Sequence, residues 1–242
     1  LTMVDVAITL GREPDRRMVA LSRHGLLPRH HIPNQPHRTL SVIDLQRYSE
    51  DVLALVERVR QRIRDRPDED WREVIDAIRP YANALWRRFD DDQQRIFLEQ
   101  VSRHWDVHRH RMSPKTATRF EVLRSRGRLS VHAGTVTGVV RGDRNVTVQA
   151  TLDGEAVQLD AASVVNCTGP GRPWQPPANP IVASLIDQGL AVPDSRGLGL
   201  VTTPEGCLVD RYGAGVPQVL VIGPPRNGTL FETTAIPEVR SQ

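Results

Sequence analysis

Lysine is almost missing from this chain: of its 32 basic residues, every one except Lys115 is an arginine. Cysteine is nearly as scarce. Cys167 and Cys207 are too few for a disulfide framework, and their spacing matches no metal knuckle, so both read as buried, reduced thiols. Aromatic residues make up only 5% of the chain, which argues against a stacking platform for nucleic acid. Apolar runs such as Val219–Ile222 fall far short of the roughly 18 residues a membrane span needs. No charged-then-apolar signal segment opens the chain, so the expectation is a cytoplasmic protein with no membrane partner. Several catalytic signatures are also absent. No serine sits in a GxSxG turn, no CxxC pair accompanies Cys167, and no glutamate stands between the histidines as a zinc protease requires.

What is present fits a globular chain. Its 242 residues are 39% hydrophobic with 17 glycines, close to the usual apolar share of folded domains and enough for a sizeable core. The net charge of +3 is unevenly divided. Residues 1–132 hold 25 basic and 19 acidic groups, and residues 133–242 hold 7 and 10. The basic excess is densest over Arg103–Arg128, but no groove-reading motif accompanies it, so the expected partner is a small-molecule substrate and not a nucleic acid. Codon-driven use of arginine on solvated helix faces accounts for most of the bias. Arginine and histidine clustered at particular loops suit phosphate or carboxylate contacts better.

The periodicity gives an α/β order. Thr2–Leu10 reads as a helix buried on most sides, ended by Gly11, and Met18–Ser22 as a buried parallel strand. Residues 28–39 are a loop rich in proline and histidine. Helical spacing resumes over Ser41–Arg66 and continues at about 71–79, 81–89, 91–110 and 114–126. From Leu129 the period is that of short strands, Leu129–His132, Thr135–Val140, Val146–Leu152 and Ala156–Leu159, with turns at Gly142-Asp143 and Asp153-Gly154. Ser163–Cys167 reads as a buried strand running into Thr168-Gly-Pro-Gly171. A helix near Ile181–Gln188, a strand at Gln218–Ile222, the glycine turn Gly223–Gly228 and a helix start near Thr233 complete the chain. Three regions follow: 1–40, a Rossmann-like remainder; 41–127, a helical insertion; and 128–242, hairpins followed by a second cofactor-type segment.

Two strand-to-glycine-turn segments are the candidates for a cofactor. In open α/β sheets, ligands lie beyond the carboxyl ends of strands, where glycine lets the backbone approach. The segments are Val164–Pro170 and Val219–Gly228, the latter followed by Thr229–Pro237; each alone is weakly specific. After the strand at 18–22 stand Ser22 and Arg23, with no acid. An arginine there suits a 2′-phosphate, which favours NADP(H) over NAD(H). His104, His108 and His110 leave three readings open: a metal site, helix-end histidines, or a basic wall in which His108, Arg109, His110 and Arg111 meet an anionic substrate or a reduced flavin.

Read together, Thr2-Met-Val-Asp5, Ala20–Pro28, Trp105–Met112, Val165–Pro170 and Glu232–Arg240 resemble the bacterial FAD/NAD(P)-binding proteins distantly similar to flavin monooxygenases. The resemblance runs over nearly the whole chain and implies an α/β architecture of two interleaved Rossmann-like units, one for FAD and one for a nicotinamide. It implies that Thr168, Gly169 and Pro170 lie where the chain crosses between the cofactor units. It also implies that Gly223, Pro224, Asn227, Gly228 and the segment with Glu232, Thr233, Thr234, Ala235 and Ile236 lie against the flavin. Thr2 and Asp5 would belong to the helix facing the NADP pyrophosphate, with Ser22 and Arg23 at the ribose. The chain departs from the pattern in lacking the strand and GxGxxG turn that hold the FAD pyrophosphate, and in having Pro224 where many flavoproteins carry an acid. It therefore reads as an incomplete Rossmann-like fold, the C-terminal half to two-thirds of such a protein. The activity implied is hydride transfer from NADPH to FAD and on to oxygen or a small acceptor. The alternative is a catalytically inactive remnant that binds a nucleotide or a partner.

Overall fold

The computed structural model describes residues 1–33, 51–152, 154–169, 179–240 and 242. It is a mixed α/β chain with a four-stranded mixed sheet and a small two-stranded antiparallel sheet. The chain divides into two compact units, Leu1–Arg38 with Leu98–Gly169, and Thr39–Phe97 with Pro170–Gln242.

The first unit begins with α1 (Thr2–Leu10), whose Val4 and Ala7 point into the core. Gly11 closes it in close approach to a neighbour, since a Cβ there would lie 2.8 Å from the Leu123 side chain. Strand β1 (Met18–Ser22) pairs in parallel with the start of β2 (Leu129–Arg141), from Met18 beside Leu129 to Ser22 beside Ala133. The rest of β2 pairs antiparallel with β3 (Val146–Leu152), which pairs antiparallel with β4 (Glu155–Ala161). Thus Leu129–His132 and Thr135–Val140, expected as two strands, are one long strand irregular between Val136 and Gly138. The turn at Gly142 forms as expected, its amide donating to the Asn145 carbonyl at 2.9 Å.

Alternation fixes the faces. Met18, Ala20, Leu129 and Val131 share one face, two residues apart along each strand, and pack with α1 and α7 (Pro114–Ser125). The core there is Val4, Ala7, Met112, Phe120, Leu123 and Leu129. Val19, on the opposite face, is 53% exposed, so β1 is covered on one side only and not buried throughout. A second difference lies at Ser163–Cys167. This segment belongs to no strand, and Val164 and Val165 are 48% and 52% exposed. An apolar run becomes a buried strand only when strands flank it, and none does so among the described residues.

In the second unit, Asp51 caps α2 (Val52–Asp65) by accepting from the Leu53 and Ala54 amides. Asp70 caps α3 (Trp71–Ile78) and Asp90 caps α5 (Asp91–Ile96), with α4 (Ala82–Arg88) between them. The helix expected over 91–110 is interrupted by a π turn at Phe97–Val101 before α6 (Ser102–Arg109). Trp86, Phe97 and Phe231 stack with ring centroids 4.9–6.0 Å apart. A second cluster, Ala191, Leu200 and Leu208, gathers α8 (Pro180–Asp187) and the hairpin of β5 (Cys207–Val209) and β6 (Gly215–Leu220). Strand β6 thus starts three residues before the expected strand at 218–222 and ends two before it. The chain closes with α9 (Ile236–Arg240). Residues 41–50, expected to be helical, lie outside the described residues.

Candidate functional site

In the first unit the helices fix which end of the sheet matters. Helix α1 feeds β1 and α7 feeds β2, and each packs back along its strand, so both begin at the carboxyl end of the parallel pair. Ligands of open α/β sheets gather at that end. Strand β1 finishes there in a tight turn: Ser22 Oγ accepts from the Gly25 amide at 3.0 Å, and Gly25 sits at φ 60°, which a Cβ would strain. The turn leaves Arg23 and His24 exposed. Thr2 and Asp5 lie on the first turn of α1, both exposed.

The chain then runs alongside the residues before α7. The Arg29 amide donates to the Val107 carbonyl at 2.8 Å, the Met112 amide to Arg29 at 2.7 Å, and the His31 amide to Met112 at 2.9 Å. These bonds form a short parallel bridge at His30 and Met112. They set Arg29, His30 and His31 beside His108, Arg109, His110 and Arg111. The first three are exposed, while Arg109 and Arg111 are each only 8% exposed. Met112 anchors the bridge in the core. His108 Nδ1 lies 2.7 Å from the His104 carbonyl, one helical turn back, which is the helix-end arrangement. Among the described residues no group of three or more histidine, cysteine, aspartate or glutamate side chains could hold a metal.

Thr168 belongs to a local turn in which Asn166 Oδ1 accepts from the Thr168 amide at 3.0 Å and its hydroxyl at 2.7 Å. Gly169 follows at φ 82°. Pro170 lies outside the described residues. Cys167 is a free thiol, half-buried, and so is Cys207; neither is the buried thiol expected.

The second unit holds the remaining candidates. Gly223, at φ 78°, opens a short 3-10 helix, Pro224–Gly228, with Pro224 exposed. A Cβ at Gly199 would lie 2.4 Å from the Pro225 carbonyl and 3.0 Å from the Asn227 amide nitrogen, so two backbones meet here because one residue has no side chain. Arg226 is 1% exposed and donates to Thr202 Oγ1 at 3.4 Å and to the Thr203 and Pro204 carbonyls at 3.3 and 2.9 Å. Burial lowers its pKa from the ordinary arginine value, and the charge of Arg87 acts in the same direction. With its nitrogen turned inward, the Asn227 amide donates to Thr233 Oγ1 at 3.0 Å and to the Leu230 and Phe231 carbonyls at 3.1 and 2.8 Å. Asn83 pairs with the backbone of Glu232 through both its oxygen (2.7 Å) and its nitrogen (3.1 Å). Glu232 and Thr233 are buried, Thr234 and Ile236 are exposed, and Ala235 is half-buried. Glu238, in α9, accepts from Arg79 at 2.5 Å, which raises the Arg79 pKa.

The site residues therefore form two sets. Thr2, Asp5, Ser22, Arg23, His108–Arg111, Thr168 and Gly169 belong to the first unit, and Gly223 through Ile236 to the second. Sequence reasoning missed Arg29, His30 and His31, although the signal was present as a histidine-rich loop without acids. It also missed Asn83 and the burial of Arg226, for which no local signal exists. No family model matches the chain, and no curated protein or solved structure is found to be similar to it.

Proposed function

We propose that the chain is part of a flavin-dependent oxidoreductase in which NADPH reduces FAD and the electrons pass to oxygen or a small acceptor. The observation that carries this reading is the exposed Ser22-Arg23 turn at the carboxyl end of a parallel strand pair whose preceding helix, α1, begins at the same end. A guanidinium there offers a planar fork to a 2′-phosphate, and no carboxylate competes for a ribose hydroxyl. The tightly bonded backbone of residues 223–233 supports the assignment of that segment to a flavin edge. Its amides and carbonyls are held by the close approach at Gly199 and by bonds from Asn83 and Asn227.

The redox chemistry is supplied by the bound nicotinamide and flavin. The chain's own residues orient and supply charge. Arg23 would hold the nucleotide phosphate, and the recessed Arg109 and Arg111 would place positive charge where an anionic substrate or reduced cofactor sits. A second reading is favoured by one observation, the lack of a GxGxxG turn in this sequence: a domain that binds a nucleotide or a partner without turnover. Titrating the purified chain with FAD and then adding NADPH separates the two. Flavin uptake with bleaching supports the oxidoreductase, uptake without bleaching supports the binding domain, and the absence of uptake removes the flavin from both.

A further inference from the structure

Strand β4 is the last strand of the four-stranded sheet, and among the described residues no strand pairs with its outer side. Its residues, Glu155 through Ala161, include no proline and no basic side chain to blunt that edge. The pairing with β3 determines which backbone groups are spare. Leu152 and Glu155 are partners across a two-residue connection, so they form a hydrogen-bonded pair, and such pairs alternate with open ones along the ladder. The N–H and C=O groups of Glu155, Val157, Leu159 and Ala161 therefore turn toward β3. Those of Ala156, Gln158 and Asp160 turn outward, and among the described residues no backbone bond to another segment uses them. All three residues are exposed.

We propose that β4 is the edge through which two copies of this chain pair, antiparallel, about a two-fold axis at Gln158. In that register Gln158 stands opposite Gln158 of the second copy, and Ala156 opposite Asp160 of the second copy, so every outward N–H meets an outward C=O. The side chains suit the same register. Directly opposed residues share a face, so Val139, Val148 and Leu159 make one apolar row across the sheet, and Val136, Ala150 and Val157 another. The two-fold sets Leu159 against Val157 of the second copy and joins these rows end to end. Glu155 meets Ala161 and Asp160 meets Ala156, so no like charges are opposed. A slip of one residue would oppose Glu155 to Asp160 of the second copy and turn the apolar rows to the wrong face. Parallel in-register pairing would oppose each acid to itself. The two carboxylates thus leave one register open and close its competitors. The other edges do not offer this. A two-fold on β1 at Ala20 would oppose Arg17 to Arg23, and β6 contains Pro217, which has no N–H to donate.

The test is sedimentation of the full chain over a concentration series. A reversible monomer–dimer equilibrium in the micromolar range is expected, the affinity class of a small interface. Gln158→Pro removes an outward N–H at the axis without touching a bond to β3, and is expected to weaken the dimer about tenfold or more. Ala156→Glu places a second acid opposite Asp160 at both ends of the pairing and should weaken it about threefold or more, whereas Ala156→Lys should tighten it by a similar factor. Ala156 is exposed, so this opposed pair of variants decides the matter even if the proline variant fails to fold, which circular dichroism checks. A chain that stays monomeric at every concentration overturns the proposal. So does a dimer that both Ala156 variants leave unchanged or shift in the same direction, and so does open-ended assembly, since a two-fold contact closes on itself. No cofactor enters the measurement, so its outcome is independent of the redox reading.

Discussion

Among the described residues Arg226 is the largest side chain to be fully buried, and no carboxylate of theirs lies within ion-pair distance of it. Its charge is carried by a hydroxyl and two carbonyls of the 202–204 loop, so replacing it strands those acceptors. Arg226→Leu is expected to cost on the order of 2–4 kcal/mol in urea unfolding, and Arg226→Lys to recover little because an ammonium cannot reach three acceptors with one planar fork. Gly199→Ala places a methyl 2.4 Å from the Pro225 carbonyl, a backbone atom that cannot rotate away, and should lower stability by roughly 2 kcal/mol or more in the same assay. Arg23→Asp tests cofactor choice. It repels a 2′-phosphate and offers a ribose hydroxyl an acceptor, so the ratio of kcat/KM for NADPH over NADH should fall by about tenfold or more. The glycine turns and Arg23 were legible in the sequence because each needs only local chemistry. The burial of Arg226 was not, because it depends on a loop twenty-odd residues away that supplies the carbonyls.

Among elements, the contrast is between those encoded by their own period and turn residues and those whose burial depends on a strand standing beside them. Helix α1, strand β1 and the β2–β4 hairpins were legible because period and turn residues encode them locally, and α7 because Ser113 caps it and Pro114 opens it. Ser163–Cys167 carries the composition of an interior strand but belongs to none and leaves Val164 and Val165 exposed, since composition reports what a segment can bury and not what stands beside it. The consequence is measurable. Val165→Thr should change stability by less than about 0.5 kcal/mol, as at an open surface, whereas Phe120→Ala, in the core between α1, α7 and β2, should cost about 3–5 kcal/mol. A large loss at Val165 would contradict the exposure described. The bridge between 28–31 and 107–112 was the least legible feature of the candidate site. A pairing of two short, irregular segments some eighty residues apart leaves no periodic trace.

For the whole molecule, the scarcity of lysine, cysteine and aromatics narrowed the classes more than any motif did; the periodicity promised a mixed α/β chain, which the structure shows, while the division into a four-stranded and a two-stranded sheet was not part of that reading. No helix among the described residues is long and apolar enough to cross a membrane. The proposed cofactors are tested by one titration: the purified chain with FAD, followed through the flavin's visible absorbance, then NADPH added without oxygen. Saturable uptake of one FAD per chain is expected, with bleaching by NADPH that Arg23→Asp slows. A chain that takes up no flavin, or that holds flavin which NADPH leaves oxidised, contradicts the proposal.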